Sequence, residues 1–238
     1  MITALIFAGG TGQRMNSKSK PKQFLELHGK PILIHTLEYF ENHEMVDSIC
    51  IVCLNGWQNE LRKLLNKYDI QKVRWIVAGG ATGHDSIYHG LKALEVECRD
   101  DDIIIIHDGV RPLITEELIT ENIESVKKYG NSITVEKAAE TVAEITSEGK
   151  IADVPQRSLM RVAKAPQCFY YKDIMAAHKR AEKDSFKSID SCHLMNHYGY
   201  ELHTVESTPY NIKIATPSDY YVFRALFEAR ENSQIFGI

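Results

Sequence analysis

The sequence predicts an α/β fold: a mainly parallel sheet flanked by helices. Three features carry that expectation. Strand-like and helix-like segments alternate along most of the 238 residues. Residues 103–106 are all isoleucine, without the in/out alternation of a half-exposed strand, as in parallel strands covered on both faces. The apolar stretch Leu5-Ile6-Phe7-Ala8 opens directly into Gly9-Gly10-Thr11-Gly12, a strand running into a glycine-rich loop.

The elements follow in order. Residues 3–8 form the first strand. Residues 31–42 are helical, with Leu33, Ile34, Leu37 and Phe40 on one face. Residues 47–54 form the second strand, and helix 57–68 turns Leu61, Leu64 and Leu65 inward. A third strand, 73–77, ends in Ala78-Gly79-Gly80, and a helix runs from about 85 to 94. Helix 116–128 has Thr115 as N-cap, glutamates in its first turn, lysines in its last and Gly130 as a stop. Thr216-Pro217-Ser218-Asp219 opens another helix, with a cap and proline at its first position. The order changes between about 132 and 169. Segments 132–135, 141–145 and 162–169 are strand-like with little helix between them, and Ser147-Glu148-Gly149-Lys150 is a turn. This predicts a single domain, 1–238, from which a β-arm projects at about 136–162. A surface hairpin of a monomer is the alternative.

Hydrophobic residues at 44% and charged residues at 25% are ordinary globular values. A formal charge of -4 opposes nucleic-acid binding, which calls for a basic excess, but allows a local cationic patch. No apolar run approaches the length of a membrane span, and the N-terminal residues have no basic, apolar leader pattern. A cytoplasmic protein without membrane partners is expected. The five cysteines are scattered, which fits reduced thiols; Cys50-Ile51-Val52-Cys53 lies in an apolar strand and reads as core rather than a zinc or redox site.

The chemistry concentrates in the first loop. Glycines let backbone N–H groups approach a phosphate chain, and Arg14 and Lys22 supply fixed positive charge. The stretch therefore reads as a nucleoside triphosphate cradle, formed by Ala8, Gly9, Gly10, Thr11 and Gly12, with two catalytic cations. A dinucleotide fingerprint fails because Met15 stands where the last glycine belongs, and no Walker A string occurs. Asp108, in Ile106-His107-Asp108-Gly109-Val110-Arg111-Pro112, follows a buried strand at the edge where open α/β sheets bind ligands. Its carboxylate suits Mg²⁺, a hard cation preferring oxygen. Arg111 has two readings, binding a substrate or pairing with Asp108.

Gly9-Gly10-Thr11-Gly12-x-Arg14-Met15 followed by Pro21-Lys22-Gln23 resembles the signature of the cytidylyltransferases that make CDP-linked polyols. That family includes the methylerythritol phosphate enzymes of isoprenoid synthesis and the ribitol phosphate enzymes of wall and capsule polymers. His107-Asp108-Gly109-Val110-Arg111-Pro112 is similar to its H-D-A-x-R-P motif, and Asn211-Ile212-Lys213 to its N-I-K motif. The resemblance spans residues 2 to about 223. It implies a Rossmann-like fold of the nucleotidyltransferase type, with the arm clasping a second subunit in a homodimer. CTP is the implied co-substrate and Mg²⁺ the cofactor. Gly79, Gly80 and Ser86 would read the cytosine. Asp108, Arg111 and Lys213 would contact substrate, and Thr141 and Arg157 would reach the acceptor of the neighbouring subunit.

Two positions depart from the family pattern: Gly83 replaces an arginine, and Ala165 replaces the threonine of T-P-Q. Asp190-Ser191-Cys192 resembles the ribitol branch. The implied reaction is cytidylyl transfer from CTP to ribitol 5-phosphate, with methylerythritol phosphate or another sugar or polyol phosphate as the alternative acceptor. Uridylyl- and thymidylyltransferases, a nicotinamide oxidoreductase and a nucleotide-sensing scaffold are the rival classes. The motif set, Met15, and the presence of both Arg14 and Lys22, respectively, weigh against them.

Overall fold

The computed structural model describes residues 1–10 and 20–236, with side chains to residue 232. Strand β1 (Ile2–Ala8) leads through a short 3-10 turn at Lys22–Phe24 and a small hairpin, β2 (Glu26–Leu27) and β3 (Lys30–Pro31), into α1 (Ile32–Asn42). Then follow β4 (Ser48–Cys53), α2 (Gln58–Lys67), β5 (Val73–Ala78), α3 (Gly83–Leu94), β6 (Ile103–Asp108) and α4 (Glu116–Tyr129). Next come β7 (Asn131–Lys137), β8 (Glu144–Ile145), β9 (Ile151–Asp153) and β10 (Arg161–Tyr170). The chain continues with α5 (Tyr171–Asp184), α6 (Ser191–His197), β11 (Thr204–Glu206) and α7 (Pro217–Phe236).

Seven strands form one sheet in the order β11-β7-β10-β6-β1-β4-β5. Only β10 runs against its neighbours among the described residues. The mainly parallel sheet is therefore as the alternation of elements implied. Successive residues of β1 point to opposite faces: Ala4, Ile6 and Ala8 pack with Leu33, Leu37 and Ile119, whereas Leu5 packs with Leu91, Ile106 and Ile174. Cys50 and Cys53 are free, buried thiols of β4, as the core reading expected.

Caps place the helices. Thr115 Oγ1 accepts from Leu118 N–H at 3.2 Å, and Gly130, at φ 91°, takes the left-handed stop of α4. Helix α3 begins at Gly83, earlier than its apolar pattern indicated. Thr82 Oγ1 accepts from Asp85 N–H at 3.1 Å and donates to the Asp85 carboxylate at 2.9 Å, which carries the helix start back to Gly83.

One strand expected within the arm differs. Thr141 lies outside any strand, because the strand expected at 141–145 shrinks to Glu144–Ile145, paired with β9 through Asp153 and Ile151. Neither face of this hairpin is covered; Ile145 is 66% exposed. A two-stranded ribbon without a packed face extends little. Sequence reading also left out α5 and β11. Helix α5 follows β10 without a loop, and its N-cap Tyr170 makes no capping side-chain bond. Strand β11 is three residues long and gains its pairing only from β7.

Candidate active site

The strand order reverses at β1: β4 and β5 lie on one side and β6 on the other. Open α/β sheets bind ligands at the carboxyl ends beside such a switch point. There Phe7 stands opposite Asp108, and a cleft of about 490 Å³ opens between the loops after β1, β5 and β6. Ala8, Gly9, Gly10, Lys22, Gly79, Gly80, Ser86, Asp108 and Lys213 all line it.

Close backbone approach explains the glycines. A Cβ on Gly79 would stand 3.3 Å from the Cα of Gly9, and one on Gly80 would stand 2.4 Å from the Cβ of Asp85. The Ser86 hydroxyl accepts from Gly80 N–H at 3.1 Å and donates its proton to the Thr82 carbonyl at 2.8 Å. It shapes the loop and keeps one acceptor lone pair. Gln23 is buried, and its Nε2 donates to the Ala8 carbonyl at 2.6 Å, tying the lysine-bearing turn to the end of β1. The Lys22 ammonium donates to the Ile214 carbonyl at 2.9 Å.

Asp108 is the electrostatic centre. Its side chain is 5% exposed, with Lys213 Nζ 2.5 Å from Oδ1 and Arg111 Nε 3.2 Å from Oδ2. Burial pushes its pKa up, but the charges of Lys213 and Arg111 outweigh burial and hold it at about 2. Both readings of Arg111 are compatible here, since it pairs with Asp108 while lining the adjacent hollow. Arg111 Nη1 also donates to the Asn211 carbonyl at 2.7 Å, and Asn211 Nδ2 donates to the Ala165 carbonyl at 2.7 Å. His107 Nε2 bonds the Arg111 carbonyl at 3.2 Å, and burial drives its pKa down to about 4, so it is neutral near pH 7.

A second hollow of about 340 Å³ shares Phe7, Gly83, Asp108 and Lys213 with the first. Its other walls include Arg111, Lys164, Ala165, Gln167 and the segment Ile189-Asp190-Ser191. Lys164 pairs with Glu136. Gln167 Nε2 donates to the Asp190 carboxylate at 3.0 Å, while Gln167 Oε1 accepts from Cys192 N–H at 2.8 Å. Two compartments thus meet at one buried carboxylate and its exposed-side lysine.

The structure brings Ala8, Gly9, Gly10, Lys22, Gly79, Gly80, Ser86, Asp108, Arg111 and Lys213 to this pair of hollows. Thr11, Gly12 and Arg14 lie outside the described residues. Thr141 and Arg157 are not brought there by their own chain: both are exposed in the arm, and Arg157 lines a separate surface hollow. Sequence reading gave no role to Gln23, Asn211 or Gln167. The polar residues within P-K-Q, N-I-K and A-P-Q were the available signal.

No three His, Cys, Asp or Glu side chains converge among the described residues, and Asp108 is the one carboxylate lining the nucleotide-side cleft. Mg²⁺ keeps several waters and binds through one or two carboxylates plus phosphate oxygens. The donor set fits an ion completed by a phosphate ligand, not one held by protein alone.

Glycine loops at a switch point, facing a cationic junction between two compartments, define an α/β nucleotidyltransferase. The family model for 2-C-methyl-D-erythritol 4-phosphate cytidylyltransferase matches residues 2–229, and the chain belongs to this family. It is similar to ribitol-5-phosphate cytidylyltransferases of Vibrio parahaemolyticus, 49% identical over the full length of both chains, and of Streptococcus agalactiae, 48% identical over the full length of both. A 2-C-methyl-D-erythritol 4-phosphate cytidylyltransferase of Clostridium botulinum is 36% identical over 95% of this chain and 97% of its own. Among solved structures, 4-diphosphocytidyl-2C-methyl-D-erythritol synthase from Anaerococcus prevotii superposes with a TM-score of 0.84 at 29% identity, covering 95% of this chain and 96% of that one.

Proposed function

We propose that the enzyme transfers the cytidylyl group of CTP to ribitol 5-phosphate, forming CDP-ribitol and releasing pyrophosphate. One observation carries the reading: the nucleotide cleft and the second hollow share Asp108 and Lys213, so a nucleotide in one and a phosphorylated polyol in the other meet at one cationic junction. Ribitol is favoured over methylerythritol phosphate because the Vibrio and Streptococcus relatives named for ribitol 5-phosphate are 49% and 48% identical over the full chain, against 36% for the Clostridium methylerythritol relative. The competing acceptor is supported by the description of the family model.

A phosphate oxygen of the acceptor attacks the α-phosphorus in line. A new P–O bond forms, the α–β bridge breaks, and pyrophosphate leaves with the electron pair. A phosphate monoester is mostly dianionic near pH 7, so no protein nucleophile is required. The work of the chain is positioning and charge neutralisation. Lys22 and Arg14 stabilise charge at the α-phosphate. Lys213, 41% exposed on a 5% exposed carboxylate, is anchored by Asp108 at the compartment boundary. The loop at Gly79 and Gly80, with the remaining lone pair of Ser86, reads the base. The Asp108 carboxylate, with phosphate oxygens of the substrate, would hold a Mg²⁺ ion, which would supply neutralisation of triphosphate charge. Thr141 and Arg157 of a second copy complete the acceptor site in a homodimer. Exposed Ile145, Ile151, Val154 and Leu159 make the arm apolar enough to dock. No helix among the described residues is long and apolar enough to cross a membrane, and the proposal places the reaction in the cytoplasm.

The test is pyrophosphate release with CTP and Mg²⁺ against ribitol 5-phosphate, methylerythritol 4-phosphate and other polyol phosphates. Preferential turnover of ribitol 5-phosphate supports the reading. Preferential turnover of methylerythritol 4-phosphate replaces the acceptor, and silence across the panel overturns the polyol assignment.

A further inference from the structure

Gly83 stands at the junction of the two compartments, and a Cβ added there would meet nothing within 4 Å. The first turn of α3 therefore sends no side chain from this position into the space. The opposite wall of the acceptor hollow is Ile189-Asp190-Ser191, most of it in the irregular connection between α5 and α6. Phe186 anchors the start of this connection against the core and stacks on His197, but Ile189 near its far end is 87% exposed. Polar fastenings hold that end. On the β10 side, Gln167 binds Asp190 at 3.0 Å; on the α6 side, Ile189 N–H donates to His193 Nδ1 at 3.3 Å.

A further fastening runs to α3. Nδ1 of His84 accepts from the Ser188 hydroxyl at 2.8 Å and faces Ser188 N–H at 3.5 Å. Lys187 pairs with Asp85 beside it, but in an exposed position where ion pairs contribute little. His84 is buried and lines neither hollow. Its ring lies 4.6 Å from that of His178, which stacks on Tyr88 at 5.3 Å and 9°. The histidine is thus a buried post, packed against His178, facing a partly exposed wall.

We infer that His84 is a positioning residue for the acceptor: through Ser188 it holds segment 185–191 against α3 and sets the width of the acceptor hollow. The inference rests on the reading of that hollow as the polyol phosphate site. It separates the substrates, because the latch shapes the acceptor wall and leaves the glycine loops of the nucleotide cleft untouched.

The experiment uses the full chain and three variants. Ser188→Ala removes one hydroxyl at the surface end of the latch. His84→Ala removes the buried post, and His84→Asn keeps an acceptor oxygen near the position of Nδ1. Hydrogen–deuterium exchange at 185–191 should accelerate about 2- to 10-fold in Ser188→Ala, the worth of one hydrogen bond, and stay near wild type in His84→Asn. The KM for ribitol 5-phosphate should rise by the same factor in Ser188→Ala, with kcat and the KM for CTP unchanged, and should stay near the wild-type value in His84→Asn. Unchanged exchange, or a parallel rise in the KM for CTP, overturns the latch. A wild-type enzyme silent with every polyol phosphate sinks the functional reading instead, while exchange still decides whether His84 holds the wall. Ser188→Ala keeps the test decisive if His84→Ala fails to fold.

Discussion

The carboxyl end of β6 and the arm at 138–160 carry charged residues under opposite physical conditions. At β6, Asp108 and Arg111 are 5% and 8% exposed and satisfy each other, with Lys213 on the second carboxylate oxygen. In the arm, residues 141–154 are all exposed, and Arg157 makes a marginal bond to the Ala139 carbonyl at 3.4 Å. Buried charges are positioned in advance, because each must be paired to offset its lost hydration. Arm charges stay hydrated and need no such pairing. A cleft residue should therefore govern both stability and turnover, and an arm residue turnover alone.

The largest effect is expected for Asp108→Asn. It leaves Arg111 buried with a weakened partner, so urea unfolding should show a loss of about 3–5 kcal/mol. Pyrophosphate release should fall by at least about 10²–10³-fold, the scale of losing one electrostatic stabiliser. Retention of both would break the comparison. Lys22→Ala should lower kcat by about 10²-fold or more, with weaker but measurable CTP binding by calorimetry. Unchanged turnover would remove Lys22 from the mechanism.

Arg157→Ala sharpens the contrast. Unfolding should stay within about 0.5 kcal/mol of wild type, as for an exposed substitution, while kcat/KM for the acceptor drops. If arms act in trans, mixing Arg157→Ala with Asp108→Asn protomers should restore about a quarter of wild-type activity, from one intact site per mixed dimer. No recovery after subunit exchange would show that each arm serves its own chain or none.

The smallest effect is the pH dependence of stability. His107 is held at about 4 and His178 at about 3, in each case chiefly by burial. Below about pH 6.5 the unfolded chain takes up protons that these folded sites refuse, so stability falls as acidification proceeds toward those values. Asp108, depressed to about 2 from 3.8, adds its loss only below about pH 4. His178→Phe should reduce the stability lost between pH 7 and 5 by about 1–2 kcal/mol in urea titrations. An undiminished loss would show that His178 is not a source of the acid sensitivity.

Most of the sheet was legible in the sequence because its signals are local. The isoleucine run of β6, the periodic apolar face of α1 and the Thr115–Gly130 boundaries of α4 are read without knowing any neighbour. Strand 141–145 was over-read for the same reason: its apolar residues have strand character, but nothing covers them. Helix α5 shows the converse, since its inward face has meaning only beside α3 and α6. In the candidate site, glycines and cations were visible as motifs. The supporting amides Gln23, Asn211 and Gln167 stood within those motifs without a readable role, because they act on carbonyls and carboxylates that only folding brings near.

By itself, the sequence determined the α/β alternation, the glycine loops and the residue types able to bind phosphate. Backbone permissiveness, apolar periodicity and charge belong to residues and short windows. Tertiary structure alone decided that Asp108 is shared by Arg111 and Lys213, that two compartments meet there, and that His84 faces Ser188. Those partners are distant in sequence, apart from Arg111. Their geometry and pKa values arise from burial and pairing, which exist only once the sheet has brought the carboxyl ends of β1 and β6 together.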